Sequence, residues 1–153
     1  MNHRIAWTAL SLASALVACG DDLCRPGDLP PQVTIGTGAV RYEPFGDTVE
    51  LVHGPQGGFH VLIGLLGQHL SADGLLGAHL SGTIGGVEAA TADPWMSLSC
   101  TEDGQEFGGI FLIYDRQPEE LDGQLTHITA TLTDLDGTAL EAQADVTIVD
   151  PLL

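Results

Sequence analysis

Residues 125–150 of this 153-residue chain, LTHITATLTDLDGTALEAQADVTIVD, carry its strongest structural signal. In the second half, apolar residues occupy every other position from Leu140 to Ile148, with polar residues between them. The first half alternates in the same way around Ile128. A period of two predicts strands with one buried and one solvated face. The sequence DLDG at residues 134–137 separates the two halves and is typical of a hairpin turn.

The length of this turn follows from the requirement that both strands bury the same face. A two-residue Asp-Gly turn would place Leu132 opposite Glu141, an apolar side chain against a solvated one. A three-residue turn at residues 135–137, with Gly137 in the left-handed region, places Leu132 opposite Leu140 instead. We therefore predict the three-residue turn.

Short segments rich in Val, Ile, Leu and Thr precede the hairpin and alternate with Gly, Asp and Pro. This spacing predicts an all-β sandwich of about seven to nine antiparallel strands. The predicted strands cover residues 33–36, 39–43, 48–53, 59–66, 78–87, 95–100 and 107–115. The predicted loops cover residues 68–77 and 88–94.

The hairpin resembles the last two strands of bacterial immunoglobulin-like domains in its alternation, its Thr-rich first strand and its Asp-x-Asp-Gly turn. The resemblance is confined to this stretch and implies an immunoglobulin-like β-sandwich over residues 32–153. The chain departs from that family because Cys24 precedes the first predicted strand and no Trp stands between two sheet cysteines. The family's central disulfide is therefore not expected.

The N-terminus has a basic start, MNHR, an apolar run over residues 5–17, and the sequence LVAC ending at Cys19. This is the layout of a secretory signal, and its end resembles the lipobox of bacterial lipoproteins. The resemblance implies a signal peptide over residues 1–18, cleavage before Cys19, and attachment of palmitate-type chains to Cys19. Two or more acyl chains hold a protein stably on a membrane. We expect a protein of the cell envelope, and Gly20 after the cysteine favours the outer membrane.

Residues 19–31 are acidic and rich in Pro and Gly, which predicts a tether between the lipid and the domain. The whole chain has 21 acidic residues, 4 basic residues and a formal net charge of −17. A nucleic-acid partner is excluded, because phosphate binding depends on Lys and Arg. Such a surface attracts cations or basic partners.

Cys24 and Cys100 are the two cysteines that remain once Cys19 is lipidated. Export would place them in an oxidising compartment, where a pair of cysteines is expected to form a disulfide. We therefore predict a Cys24–Cys100 bond. On the loop-entropy argument it would stabilise the fold by about 4 kcal/mol.

Nucleophile elbows, zinc-protease helices, P-loops and paired-cysteine metal motifs are absent from the sequence. We therefore expect a non-enzymatic interaction module without a cofactor, whose protein partner the sequence does not identify. The alternative function is a lipoprotein that binds a metal ion or a small ligand.

Five histidines follow the predicted signal peptide, and imidazole suits copper and zinc. The metal candidates are His53 and His60, which flank the sequence GPQGG at residues 54–58. A four-residue loop would let the two rings chelate one ion, whereas a five-residue loop pairs His53 with Phe59 and separates the rings. The apolar pattern on both sides favours the five-residue loop. Solvated or hydrogen-bonded histidines are the alternative to a metal site.

Two further features have a structural and a functional interpretation. The DLDG sequence is explained by a hairpin turn, with a calcium site as the alternative. Trp95 begins a predicted strand and is interpreted as a core or rim residue, with a carbohydrate subsite as the alternative.

Overall fold

The computed structural model describes residues 22–55 and 57–153. The predicted signal peptide and the lipidation site Cys19 lie outside the described residues. The described chain is nearly all β, which confirms the all-β part of the prediction. It forms more strands than the seven to nine expected. Over these residues, no helix combines the length and the apolar character needed to cross a membrane.

The described residues form eleven strands and one short helix, α1 (Pro118–Leu121). The strands are β1 (Gln32–Gly36), β2 (Thr48–Glu50), β3 (Val52–His53), β4 (Phe59–Gln68), β5 (Leu76–Ile84), β6 (Val87–Ala92), β7 (Trp95–Met96), β8 (Ser99–Thr101), β9 (Gly104–Tyr114), β10 (Leu125–Thr133) and β11 (Ala139–Val149).

Hydrogen bonds join the strands into one sheet with the order β1-β4-β9-β6-β5-β10-β11-β2, and β3, β7 and β8 pair with β4, β5 and β9. The sheet curls, so that β1 at one end contacts β11 near the other end. Residues 48–53 link the two ends, because β2 pairs in parallel with β11 and β3 pairs with β4. The curled sheet therefore encloses a common interior.

The hydrophobic core fills this interior with side chains from alternate positions of the strands. Its fully buried large members include Leu51, Ile63, Leu65, Leu80, Leu112, Ile128, Leu132 and Ile148. Removal of apolar surface from water contributes roughly 25 cal/mol per Å². The core, the strands and both cysteines of the disulfide described below lie after residue 22. Residues 20–153 thus contain the parts needed to fold without the predicted signal peptide.

The C-terminal hairpin has the predicted register. Leu132 pairs with Leu140, and the N–H of Asp134 donates to the carbonyl of Thr138 at 3.0 Å, which closes a three-residue turn. Gly137 has a φ of 81°, in the left-handed region where glycine is favoured. The Asp134 carboxylate accepts hydrogen bonds from the N–H groups of Asp136 and Thr138. The buried acid therefore stabilises the turn.

The prediction of a loop at residues 88–94 is wrong, because most of this segment belongs to β6. Gly85 and Gly86 both have positive φ and form a tight turn that folds β6 back onto β5. The predicted strand over residues 78–87 consequently ends at Ile84. The Ala- and Thr-rich sequence of β6 hides the strand, since Ala90 is the position it buries.

The prediction of a strand at residues 39–43 is also wrong. Glu43 forms an isolated bridge with Thr37 and no ladder. The segment instead crosses close over β9: a Cβ on Gly108 would lie 2.6 Å from the backbone nitrogen of Arg41. Residues 95–100, predicted as one strand, are divided between β7 and β8.

The Cys24–Cys100 disulfide is present, which confirms the prediction. The two Cα atoms are 5.6 Å apart across a sequence separation of 76 residues. The N–H of His69 also donates to the carbonyl of Leu23 at 2.9 Å. The segment before β1 is therefore fixed to β8 and to the end of β4.

Candidate ligand-binding cleft

A cleft of about 560 Å³ opens beside β7, between the start of β5 and the β10–β11 turn. Its lining residues are Leu75, Gly77, Ala78, His79, Asp93, Pro94, Trp95, Thr131, Thr133, Asp134 and Leu135. The lining combines an aromatic ring, two leucines, a His–Asp pair and hydroxyl groups. Ligand sites commonly have this composition, apolar with a few polar groups that fix orientation.

Trp95 forms one side of the cleft and its side chain is 74% exposed. It pairs with Gly77 across β7 and β5. Three carbons of the six-membered ring, Cζ2, Cζ3 and Cη2, lie 3.6–3.7 Å from the point where a Cβ of Gly77 would stand. The near-equal distances place Gly77 against the face of the ring. Trp95 therefore lies at the rim of the cleft and not in the core.

His79 and Asp93 form the polar part of the cleft. The Nδ1 atom of His79 lies 2.7 Å from Oδ1 of Asp93, and both side chains are more than half exposed. His79 faces outward from β5, next to Thr131 of β10, while Asp93 stands in the turn between β6 and β7. With Nδ1 bonded to the carboxylate, Nε2 is the second hydrogen-bonding atom of the ring.

The opposite wall of the cleft is held by the hairpin turn. The N–H of Leu135 donates to the carbonyl of Ser71 at 2.9 Å, which ties the turn to the connection between β4 and β5. Leu135 and Leu75 are 51% and 63% exposed. The wall is thus preformed, and its exposed leucines extend the apolar surface that begins at Trp95.

The two metal candidates are separated by the register of their strands. His53 pairs with Phe59 and His60 with Val52, which confirms the five-residue loop. The Nε2 atom of His53 lies 2.8 Å from Oδ2 of Asp150. The His60 ring packs against Phe111 with centroids 4.5 Å apart, and burial lowers the pKa of His60. The structure does not bring the two imidazoles together.

Over residues 22–55 and 57–153, no group of three or more His, Cys, Asp or Glu side chains is arranged to hold a metal ion. His69 is buried at the end of β4, and His127 forms an exposed pair with Asp145 at 2.8 Å. His79, which is not one of the two predicted metal candidates, is the histidine that lines the cleft. The sequence feature that could have identified His79 is Asp93. The two residues come close together only when β6 is a strand, and the sequence predicts a loop there.

The carboxyl group of Asp150 is buried beside His53. Burial raises its pKa, but hydrogen bonds from the Leu152 N–H and from His53, together with the attraction of a charged His53, outweigh this effect. The pKa of Asp150 consequently lies below its ordinary value of 3.8. The N–H of Asp150 also donates to Asp122 at 2.8 Å. These contacts anchor the end of the chain to the fold.

Comparison with known proteins adds no family to this description. No protein-family model matches the chain, and no curated protein matches its sequence.

Proposed function

We propose that the protein is a lipid-anchored, non-enzymatic binding module of the cell envelope that holds its ligand in the Trp95 cleft. The observation that carries the proposal is the exposed indole of Trp95, packed against Gly77 and beside the His79–Asp93 pair. Aromatic side chains held in this way are the usual anchors of binding surfaces. An indole fixed before the ligand arrives loses little conformational entropy on binding.

The fold proposed for residues 32–153 is an immunoglobulin-like β-sandwich. Two features support it: the register of the C-terminal hairpin and the curled sheet whose halves enclose one core. Such domains present their binding residues on connections gathered at one end. Here the β10–β11 turn, the β4–β5 connection and the β6–β7 turn contribute to the same cleft.

The proposed anchor limits how far the cleft can lie from the membrane. Cys24 is five residues after Cys19, and Cys100 is five residues after Trp95. An extended chain spans at most about 3.6 Å per residue, and the disulfide adds 5.6 Å between Cα atoms. If Cys19 is lipidated, Trp95 lies within about 40 Å of the lipid. The ligand is then bound close to the membrane.

The cleft is tested by photo-crosslinking in the producing cells. A photoreactive amino acid replaces Leu135 in the cleft wall, and a second chain carries it at Val40, which is 84% exposed and outside the cleft lining. We expect a discrete adduct from position 135 that disappears with Trp95→Ala and persists with Phe111→Ala, an exposed aromatic elsewhere. Equal adducts from positions 135 and 40, or an adduct indifferent to Trp95→Ala, would contradict the cleft assignment.

The anchor is tested separately by fractionation. The wild-type chain should sediment with membranes and acquire a labelled fatty acid, and Cys19→Ser should abolish the label. A Cys19→Ser chain that still incorporates the fatty acid would refute lipidation at this residue.

A further inference from the structure

We infer that the partner held at the Trp95 cleft is a basic protein segment, which stacks an Arg or Lys side chain on Trp95 and continues along the outer face of β5, β10 and β11. The inference rests on the proposed function and adds the chemistry of the partner. Two observations support it: the arrangement of carboxylates beside the cleft, and the positions of the protein's own arginines away from it.

The outer face of β5, β10 and β11 extends the cleft as a regular polar surface. Thr131 stands between His79 of β5 and Glu141 of β11, and Asp93 prolongs this row at the rim of the cleft. Two positions before and two positions after Thr131, β10 again exposes polar side chains, because inward and outward residues alternate along the strand. This surface, which we term the polar face, is defined by the outward residues of the three strands.

A second row near the far end of the polar face repeats the pattern of the first. His127 of β10 lies between Thr83 and Asp145, and its Nδ1 atom is 2.8 Å from the Asp145 carboxylate. Each row therefore carries at least one exposed carboxylate and one histidine. A partner segment long enough to span both rows therefore meets an exposed carboxylate at each row.

Positive side chains of the protein itself are placed elsewhere. Of the three arginines in the described residues, Arg25 lies 3.4 Å from Asp22 and Arg41 lies 3.8 Å from Glu106. Arg116 follows β9 and lines a different cleft near Phe59. Within the described chain, no arginine or lysine stands on β5, β10 or β11 or lines the Trp95 cleft. An arginine or lysine at this surface therefore has to come from a partner.

The chemistry of the cleft matches a cationic side chain. The face of an indole attracts a guanidinium or ammonium group, and Arg in particular stacks on aromatic rings. Asp93 stands at the same rim and can accept hydrogen bonds from the stacked cation. A neutral saccharide would stack on the ring and could donate hydroxyl hydrogen bonds to the carboxylates, but it would gain no charge attraction from them. An anionic ligand would be repelled by the net charge of −17.

The inference is tested with residues 20–153, in which Trp95 is the only tryptophan, so that its fluorescence reports on the cleft. The probe is an acetylated, amidated peptide of alternating Arg and Gly. Its matched control replaces each Arg with citrulline, which keeps the shape and removes the charge. A neutral chitin oligosaccharide is the third probe. We expect saturable quenching or enhancement by the Arg peptide alone, with an affinity that falls steeply as salt is added.

Variants of the protein test whether the negative charge of Asp93 contributes to the affinity for the Arg peptide. Asp93→Asn should weaken the Arg peptide roughly fivefold, while Asp103→Asn, an exposed acid in the β8–β9 turn, should leave its affinity unchanged. Equal binding of the citrulline peptide, binding of the saccharide alone, or no response to any probe would overturn the basic-partner inference. The proposed function would survive each of these results if the crosslink from position 135 still depends on Trp95.

Discussion

The six-membered ring of Trp95 packs face-on against Gly77, with three ring carbons 3.6–3.7 Å from the position of an absent Cβ. The glycine lets an indole that is 74% exposed lie flat on the strand beside it. A large apolar ring held open to solvent gains little for folding, since most of its surface stays in water. The exposed part of the ring is therefore available for the ligand contact proposed above.

Substitutions at Gly77 should show whether this residue positions the indole of Trp95. A Cβ at 3.6–3.7 Å makes ordinary contact, so Gly77→Ala should preserve the near-ultraviolet circular dichroism of Trp95. Gly77→Val adds methyl groups that push the exposed ring away from the strand. We expect a changed tryptophan band for the valine variant of residues 20–153. Identical spectra for both variants would show that Gly77 does not position Trp95.

Reduction of the Cys24–Cys100 bond should destabilise the domain without changing its fold. The bond closes a span of 76 residues, and the loop-entropy model assigns it about 4 kcal/mol. Urea unfolding of the oxidised chain and of the Cys24→Ser/Cys100→Ser chain should differ by an amount of this order. Coincident unfolding curves would mean that the disulfide contributes nothing to the stability of the domain.

The contribution of Asp150 should depend on pH at the acidic end. Its pKa is lower in the folded state than in the unfolded chain, because hydrogen bonds from Leu152 and His53 outweigh the effect of burial. A lowered carboxyl pKa stabilises the fold above the ordinary value of 3.8, and this stabilisation is lost as the pH falls through the folded value. Urea midpoints of wild type and Asp150→Asn should thus differ at pH 5 and converge as the pH falls through the lowered pKa of folded Asp150. Asp136→Asn, which changes an exposed acid, serves as the control. A loss of stability from Asp150→Asn that grows as the pH falls would contradict the expected direction.

Salt should stabilise the protein. With 21 carboxylates against 4 basic residues, most acidic side chains meet other negative charges, and screening reduces their repulsion. The melting temperature of residues 20–153 should rise by several degrees between low salt and about 0.5 M sodium chloride. A melting temperature that falls over this range would indicate that the ion pairs of Arg25 and Arg41 outweigh the repulsion.

The two hairpins show how much of the fold could be predicted from the sequence. The register that pairs Leu132 with Leu140 follows from the rule that both strands bury the same face. The same rule predicts that His53 pairs with Phe59. Alternating apolar residues fix these registers locally, so no information about distant parts of the chain is needed.

The cleft was harder to predict because distant segments build it. Asp93 meets His79 only when β6 folds back on β5, and the Ala- and Thr-rich sequence of β6 has no strong apolar alternation. The position of Trp95 flat against β5 depends on the lack of a side chain at Gly77, which pairs with it across the sheet. Composition alone does not distinguish such an indole from a core residue.

The most direct test of the central claim is the accessibility of Trp95 itself. Residues 20–153 contain this one tryptophan, so its emission spectrum and its quenching by acrylamide report on the cleft alone. The structure predicts emission close to that of indole in water and efficient quenching, both reduced when a ligand occupies the cleft. A blue-shifted emission that acrylamide barely quenches in the free protein would place Trp95 in the core and contradict the binding site proposed here.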